Sequence, residues 1–266
     1  MKVHRELQVP GARLRYRDEG SGRAVVFVHG WTLDLDVWEP QLPLAAELRM
    51  VCYDRRGFGL SSGDPSLAHD LSDLGTLLSV LGIVSPLLVG MSQGARVVLE
   101  FAARHPSFAR GLVLDGAPPL VGGVAADDLP LESFRELAER QGLDAFRRAW
   151  SRHPLTQLTT PDARTHMLLA RILARYPGRD LLANVAPQRE AIDRRVLADV
   201  RVPVLVINGA RDTEARRQAG ALLRDALPSA EHVLIPNAAH LPNLDAPREY
   251  NQIMSGFARR HLPAAA

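Results

Sequence analysis

Strand-like and helix-like stretches alternate from residue 3 to about residue 118, and this alternation restricts the chain to few folds. Short apolar runs at 24–28, 49–53 and 87–89 are typical of strands that are buried on both faces. Between them, residues 66–81 carry leucines at helical spacing. Strands that alternate with helices predict a mostly parallel sheet with helices on both of its faces. The sequence therefore predicts the α/β class.

The predicted strands and helices cover most of the chain. The predicted strands cover residues 3–10, 12–19, 24–28, 49–53, 87–89, 111–114, 202–207 and 232–235. The predicted helices cover residues 36–48, 66–81, 95–103, 129–141, 143–152, 162–176, 189–197, 215–227 and 246–261. The first two strands flank the Pro10-Gly11 turn, which predicts an antiparallel pair at the start of the sheet.

The alternation stops at residues 115–128, where prolines and glycines are concentrated. The next predicted strand begins only at Val202, and the intervening chain carries helical patterns. Because sheet sites open at the carboxyl ends of their strands, an insertion that leaves a strand end is able to cover the site. We therefore expect a core formed by residues 1–118 and 201–266, with residues 119–200 as a helical lid insertion.

Composition excludes several classes of function. Cys52 is the only cysteine, so neither an intrachain disulfide nor a multi-cysteine metal site is possible, and its apolar neighbours favour a buried structural thiol. Lys2 is the only lysine, which removes the side chain that a P-loop or Schiff-base chemistry requires. A Gly-x-Gly-x-x-Gly dinucleotide fingerprint does not occur. We therefore expect no cofactor and no metal.

Charge and hydropathy bear on partners and location. The formal net charge is +2 and charges of both signs are interleaved, so we expect no nucleic-acid partner. No apolar run approaches the roughly 20 residues that span a bilayer. The first residues show no apolar stretch of the kind found in signal peptides. We therefore expect no membrane association and a cytoplasmic location.

The segment Gly90-Met91-Ser92-Gln93-Gly94 places a serine between two glycines, where a predicted strand ends and a helix begins. This Gly-x-Ser-x-Gly pattern fits the sharp strand-to-helix turn that exposes a nucleophilic serine. A Gly/Ser-rich turn without chemistry is the alternative. An alcohol nucleophile needs a base to take its proton, an acid to orient that base and donors for the developing oxyanion. Candidates for each of these partners occur elsewhere in the chain.

His240 is the candidate base. It follows the apolar run 233–235 and lies among prolines and asparagines that favour a loop. Most of the other histidines fall in predicted helices, at helix ends or at the start of a strand. A loop after a late strand is where a nucleophile elbow finds its histidine, so the sequence favours His240.

Asp212 is the candidate acid, since it follows a strand-like run and a glycine turn and precedes a predicted helix. The same position would suit a helix N-cap. Asp115, directly after the strand-like run 111–114, is the alternative acid. The chain order Ser92, Asp212, His240 is the order expected when late strand ends serve a nucleophile elbow, and it favours Asp212.

Two backbone N–H groups are the expected oxyanion donors. One belongs to Gln93, the residue after the nucleophile, and the other to Trp31, in the loop after the third strand. Their side chains are then available to shape the pocket. His29, in the same loop as Trp31, is expected to support that loop by packing and is assigned no proton transfer.

Together these segments resemble the α/β-hydrolase superfamily, in its lidded single-domain branch, over essentially the whole chain. The motifs lie in the expected order: HGW at 29–31, YDRRGFGLSS at 53–62, GMSQG at 90–94, GARD at 209–212 and AAH at 238–240. The combination of HGW and DRRGFG resembles the sequence pattern of cofactor-free haloperoxidases, which are esterases and perhydrolases. HGW followed by Trp38 is similar to pimeloyl-carrier-protein methyl-ester carboxylesterases.

The resemblance implies an α/β-hydrolase fold with a mostly parallel central sheet, helices on both faces and a helical lid insertion. Two positions depart from the family pattern. Gln93 stands where many relatives carry Met or Leu, and Ala95 stands where many carry a second glycine. Neither departure removes a catalytic group. A serine nucleophile in place of an aspartate argues against dehalogenase and epoxide-hydrolase chemistry.

We therefore expect a cofactor-independent serine hydrolase that cleaves a small carboxylic ester or lactone through an acyl-enzyme. Two alternatives stay open: hydrolysis of a carbon–carbon bond in a diketone-like substrate, and non-catalytic binding of a small ligand on the same fold. The candidate substrate-binding side chains are Trp31 and the apolar lid residues Phe134, Phe146, Trp150, Met167 and Leu168. Packing of the lid against the core is the alternative role of these lid side chains.

Overall fold

A computed structural model describes residues 4–123, 129–183 and 191–262. The strands are Arg5–Val9 (β1), Ala12–Glu19 (β2), Ala24–Val28 (β3), Arg49–Tyr53 (β4), Leu87–Met91 (β5), Gly111–Asp115 (β6), Val204–Gly209 (β7) and Ala230–Ile235 (β8). Within these described ranges they form one eight-stranded sheet in the order β1-β2-β4-β3-β5-β6-β7-β8. β2 is antiparallel to both β1 and β4, and the pairs from β4 to β8 are parallel. The predicted mostly parallel sheet with an antiparallel start is confirmed.

Two four-residue helices, Arg179–Leu182 and Pro242–Asp245, have no predicted counterpart, and the other helices of the described chain lie close to the predicted ones. The helices are Leu67–Val80 (α1), Gln93–Arg104 (α2), Leu131–Gln141 (α3), Leu143–Trp150 (α4), Ala163–Arg175 (α5), Arg179–Leu182 (α6), Arg194–Ala198 (α7), Glu214–Ala226 (α8), Pro242–Asp245 (α9) and Pro247–His261 (α10). The predicted helix 189–197 begins only at Arg194, and its first two residues lie outside the described residues, as does Val3 of the first predicted strand. None of these helices has the length and apolar character needed to cross a membrane.

The predicted helix 36–48 is a 3-10 segment, Leu35–Ala46, and not an α-helix. Pro40 and Pro43 lie inside it. Each proline lacks the N–H that an α-helical hydrogen bond needs, and its ring clashes with the preceding turn. The prediction of a regular α-helix is wrong here, because two prolines inside the segment interrupt the α-helical hydrogen-bond pattern.

Alternate side chains of β3 show how the sheet divides the interior. Val25 and Phe27 belong to one apolar cluster and Val26 and Val28 to the other, and all four are fully buried. Successive side chains of a strand point to opposite faces, so the sheet is covered on both sides. Cys52 is buried, as its apolar neighbours predict, and burial raises the pKa of its thiol to about 12.

Helices α3 to α7 lie between β6 and β7 in the chain, and they contact the segment that leaves the carboxyl end of β3. Trp150 Nε1 donates a hydrogen bond to Thr32 Oγ1 at 2.7 Å. Arg175 donates to Asp34 at 2.6 Å and to Asp36 at 2.8 Å. These contacts fix the helical segment next to a strand end, although a lid bounded at residues 119 and 200 stays a prediction.

Candidate active site

Ser92 lies in a sharp turn between β5 and α2. Its backbone has φ 49° and ψ −118°, a region that residues with a side chain rarely adopt. The flanking glycines allow this turn: a Cβ at Gly90 would lie 2.2 Å from the carbonyl oxygen of Gly94, and a Cβ at Gly94 would lie 2.2 Å from that of Val28. The Ser92 N–H donates to the carbonyl of Asp115 at 2.7 Å, which fixes the turn against β6.

Because Ser92 occupies a backbone region that favours glycine, Ser92→Gly is expected to stabilise the protein. Such strain costs about 1–3 kcal/mol, and glycine relieves it. Part of the stability gained is lost again, because glycine has greater conformational freedom in the unfolded chain. We expect a net increase of about 1 kcal/mol in the free energy of unfolding, measured by urea denaturation. Ser92→Ala is the matched control, since it removes the hydroxyl and keeps the strained Cβ. A Ser92→Gly variant less stable than Ser92→Ala would refute the strain.

His240 and Asp212 form a buried pair. His240 Nδ1 lies 3.0 Å from Asp212 Oδ2, and the two side chains are 4% and 0% exposed. The N–H of Thr213 donates to the other carboxylate oxygen of Asp212 at 2.8 Å. In the neutral imidazole, an Nδ1–H donated to the carboxylate leaves Nε2 as the nitrogen that is able to accept a proton. His240 and Ser92 line the same small cavity of about 30 Å³.

The loops that carry the candidate acid and base leave the same edge of the sheet, because β7 and β8 are parallel neighbours. The N–H of Arg211 donates to the carbonyl of Ala238 at 2.9 Å, which joins the two loops. The N–H of Ala239 donates to Asp245 Oδ2, at the end of α9, at 2.8 Å. The backbone on either side of the pair is therefore held in place.

Asp115, the alternative acid, lies at the end of β6. In the described part of the chain its carboxyl oxygens form no hydrogen bond with His240, and their polar neighbour is the Tyr250 hydroxyl. The side chain is fully buried beside Tyr250, and burial raises its pKa well above the ordinary range, with a further increase from the charge of Asp212. Burial therefore disfavours the charged form of Asp115, which is the form that stabilises an imidazolium.

Trp31 and Gln93, the candidate oxyanion donors, border Ser92. All three line a second, larger cavity of about 280 Å³. Gln93 is the first residue of α2, where helical N–H groups have no acceptor within the helix and favour negative charge. A Cβ at Gly30 would lie only 3.1 Å from Ser92 Cβ, so the loop of Trp31 passes directly beside the nucleophile. The two backbone amides are thus on the two segments that an oxyanion site requires.

A buried network joins these two segments. His29 Nδ1 lies 2.8 Å from the carbonyl of Gly30, and the N–H of Arg55 donates to His29 Nε2 at 2.9 Å, which places the histidine proton on Nδ1. The Arg55 guanidinium donates to Gln93 Oε1 at 2.7 Å and to Asp70 at 2.5 Å. His29 thus has a supporting position, with both ring nitrogens engaged away from the nucleophile.

Burial and the nearby Arg55 guanidinium lower the pKa of His29 from 6.5 to about 3. Between these pH values the unfolded chain binds a proton at His29 and the folded chain does not, so the free energy of unfolding falls as the pH falls. We compare the wild type with His29→Gln by urea denaturation. The difference in free energy of unfolding should shrink from pH 6.5 downwards by up to about 1.4 kcal/mol per pH unit. If the difference in free energy of unfolding between wild type and His29→Gln does not change with pH, the lowered pKa of His29 is contradicted.

Of the predicted substrate-binding side chains, two reach the cavities. Trp31 lines both of them and Trp150 lines the smaller one. Phe134 and Phe146 line neither. They pack against Trp150 in the apolar interior, with ring centroids 5.6 and 6.4 Å from that ring. For these two phenylalanines the structure favours the packing role over contact with a ligand.

The prediction that Met167 lines the pocket is corrected by the structure. Met167 is 64% exposed on the surface of α5, and its neighbour Leu168 is buried in the apolar core. Consecutive residues of a helix point about 100° apart, so the two side chains do not share one direction. Neither lines the two cavities.

Much of the larger cavity is lined by residues that sequence reasoning missed, among them Arg96, Arg216 and Asp180. Arg96 lies four residues after Ser92 in α2, and Arg216 lies four residues after Asp212. Each lies in the first turn of the helix that follows a candidate catalytic residue, and this position is a signal that sequence analysis is able to use. Asp180 gives no such signal. No group of histidine, cysteine or acidic side chains in the described ranges is arranged to hold a metal ion.

Comparisons with known proteins identify the family of the chain and its fold. The sequence model of the α/β hydrolase fold family matches residues 23–247. The pimeloyl-[acyl-carrier protein] methyl ester esterase of Pectobacterium atrosepticum is 29% identical over 261 residues, which cover 93% of this chain and 99% of the relative. The non-heme haloperoxidase of Rhodococcus erythropolis is 32% identical over 133 residues, covering 47% of this chain and 48% of the relative.

A solved structure shows the same similarity. The crystal structure of the bromoperoxidase from Bacillus anthracis matches with a TM-score of 0.83 at 26% identity, and the match covers 97% of this chain and 100% of that protein. The expected resemblances to haloperoxidases and to pimeloyl-carrier-protein methyl-ester esterases are therefore confirmed.

Proposed function

The chain belongs to the α/β hydrolase fold family, and we propose that it is a serine hydrolase that cleaves a carboxylic ester or lactone of a small molecule. One observation carries the proposal. Ser92, on its strained turn, and His240, which is paired with the buried Asp212, line a single cavity. The relative from Pectobacterium atrosepticum is named as a methyl ester esterase, which is the same class of reaction.

Acylation begins at the Ser92 hydroxyl. Asp212 holds the Nδ1–H of His240, so His240 Nε2 takes the serine proton while Oγ attacks the carbonyl carbon. The negative charge that develops on the carbonyl oxygen is stabilised by the backbone N–H groups of Trp31 and Gln93, each of which contributes about 2.7–4 kcal/mol in the transition state. His240 then gives the proton to the alcohol oxygen, the carbon–oxygen bond breaks, and Ser92 carries the acyl group.

Deacylation repeats these steps with water as the nucleophile. His240 takes a proton from water, the resulting hydroxide attacks the acyl carbon, and the same two amides stabilise the oxyanion. The proton returns to Ser92 Oγ as the acid leaves. In a lactone the alcohol is part of the same molecule, so the product is a hydroxy acid.

Hydrolysis of aryl esters with acyl chains of increasing length tests the proposal. We expect release of the phenol and the acid by the purified protein, with an optimum at short chains, because the two cavities measure about 30 and 280 Å³. Lactones are assayed in parallel. Hydrolysis of a diketone carbon–carbon bond, with no hydrolysis of esters or lactones, would overturn the proposal. Tight binding of an ester or lactone without formation of product would also overturn it.

A further inference from the structure

The helical segment between β6 and β7 binds the loop that follows β3 through polar contacts from two of its helices. Trp150, the last residue of α4, donates a hydrogen bond from Nε1 to Thr32 Oγ1 at 2.7 Å. Asp180, on α6, accepts one from Trp31 Nε1 at 2.5 Å. The partners are 118 and 149 residues apart in the chain. The loop that carries a candidate oxyanion donor is therefore held from outside its own part of the core.

The backbone of this loop needs such support. Thr32 is buried and has φ 61°, a left-handed conformation that a β-branched residue rarely adopts. A strained conformation of this kind persists only where the surrounding contacts hold it. Trp150 supplies one of these contacts, and Thr32 directly follows Trp31 in the chain. The contacts from the helical segment therefore bear on the position of the Trp31 backbone.

The Trp31 side chain is enclosed by the same helical segment. The ring centroids of Phe146, Trp150 and Tyr176 lie 5.7, 4.9 and 5.9 Å from the Trp31 ring. Trp31 is 9% exposed. A hydrogen bond is more directional than apolar packing, so the bond from Nε1 to Asp180 selects one orientation of the indole within this enclosure.

The Asp180 carboxyl group is engaged with side chains of the protein at both of its oxygens. One oxygen accepts from Trp31 Nε1, and the other accepts from the Tyr176 hydroxyl at 2.6 Å. Arg55 lies in the same cavity wall and donates to Gln93 Oε1 at 2.7 Å. The Gln93 segment is thus supported from the core and the Trp31 segment from α6. This arrangement favours a supporting role for Asp180 over contact with a substrate.

We propose that Asp180 is a positioning residue for the oxyanion site, because its hydrogen bond to Trp31 Nε1 holds the Trp31 backbone N–H where the carbonyl oxygen becomes negative. This inference rests on the proposed function and adds a residue to it. An oxyanion donor is effective only in a fixed position, and a misplacement of about 1 Å costs up to about 100-fold in rate. Loss of the hydrogen bond should lower kcat and leave KM nearly unchanged, because the oxyanion forms only after the substrate is bound.

Two substitutions of Asp180 test this role. Asp180→Leu removes the acceptor, whereas Asp180→Asn keeps one oxygen for Trp31 Nε1 and presents an amide N–H to the Tyr176 hydroxyl. For aryl ester hydrolysis we expect kcat to fall about 10- to 100-fold in Asp180→Leu, with KM within about 2-fold of the wild-type value. In Asp180→Asn, kcat should stay within about 3-fold of the wild-type value.

Trp31→Phe tests the other end of the hydrogen bond, since it removes the indole N–H and keeps the backbone N–H. We expect a loss of kcat similar to that of Asp180→Leu. The double variant should lose no more than the larger single loss, because both substitutions break the same bond. Tyr176→Phe is the matched control. It removes the other hydrogen bond to Asp180 and keeps the aromatic ring, so kcat should stay within about 3-fold of the wild-type value.

A wild-type kcat in Asp180→Leu overturns the inference and leaves the proposed function in place. An equal loss in Asp180→Asn or in Tyr176→Phe also overturns it, because the effect then comes from a loosened helical segment. If the wild type hydrolyses no ester or lactone, the proposed function fails, and the rate at which an aryl phosphonate modifies Ser92 decides the inference. The phosphonyl oxygen occupies the oxyanion site, so a rate about 10-fold lower in Asp180→Leu supports the role of Asp180. Equal rates, or no modification of Ser92, refute it.

Discussion

Ser92→Ala is expected to lower kcat/KM for ester hydrolysis by about 10⁴-fold or more while the protein stays folded. Only the hydroxyl oxygen is lost, and with it the atom that forms the acyl-enzyme. The residual rate comes from the oxyanion amides and from substrate binding, which do not depend on the nucleophile. Initial rates of aryl ester hydrolysis, with the variant at high concentration, measure the loss.

Ser85→Ala is the matched control for this substitution. Ser85 also has a positive φ, 50°, and lies just before β5, but it lines neither cavity. Its alanine variant should hydrolyse esters at the wild-type rate. Less than a 100-fold loss in Ser92→Ala would mean that another group attacks the carbonyl, and an equal loss in both variants would point to damage of the fold.

Asp212→Asn is expected to lower kcat by about 10⁴-fold. The amide keeps the shape of the carboxylate but removes the negative charge that stabilises protonated His240. It also presents an N–H that favours the wrong tautomer of the imidazole. The measurement is kcat with the best aryl ester, together with thermal unfolding to show that the variant is folded.

Asp115→Asn is the matched comparison, because Asp115 is the other aspartate at a neighbouring strand end. Burial raises the pKa of its carboxyl group and disfavours the charged form, so replacement by a neutral amide should change kcat by less than about 10-fold. The reverse ranking, with Asp115→Asn inactive and Asp212→Asn active, would transfer the role of the acid to Asp115.

Local sequence patterns predict the parts of the molecule that depend on local chemistry. The strands of the parallel sheet are continuous apolar runs because they are buried on both faces, and so they are visible in the sequence. The turn at Ser92 is visible because only glycine fits at Gly90 and Gly94, where a Cβ would meet backbone oxygen at 2.2 Å. His240 and Asp212 are visible because each follows a strand-like run.

The walls of the cavities depend on contacts between distant parts of the chain, and the sequence alone does not reveal them. Trp31 donates a hydrogen bond to Asp180, 149 residues away, and such a contact between distant segments leaves no local pattern in the sequence. Phe146 and Trp150 lie on one apolar stripe, yet only Trp150 lines a cavity. An apolar pattern shows that a side chain is buried and does not distinguish a core contact from a ligand contact.

Labelling with an aryl phosphonate shows whether Ser92 is the nucleophile. Phosphonates react with an activated serine to give a stable covalent product, and mass spectrometry of the digested protein identifies the modified residue. We expect one phosphonyl group per chain on the peptide that contains Ser92, and none in Ser92→Ala. A label on another residue, or ester hydrolysis that continues while Ser92 stays unmodified at excess reagent, would contradict it.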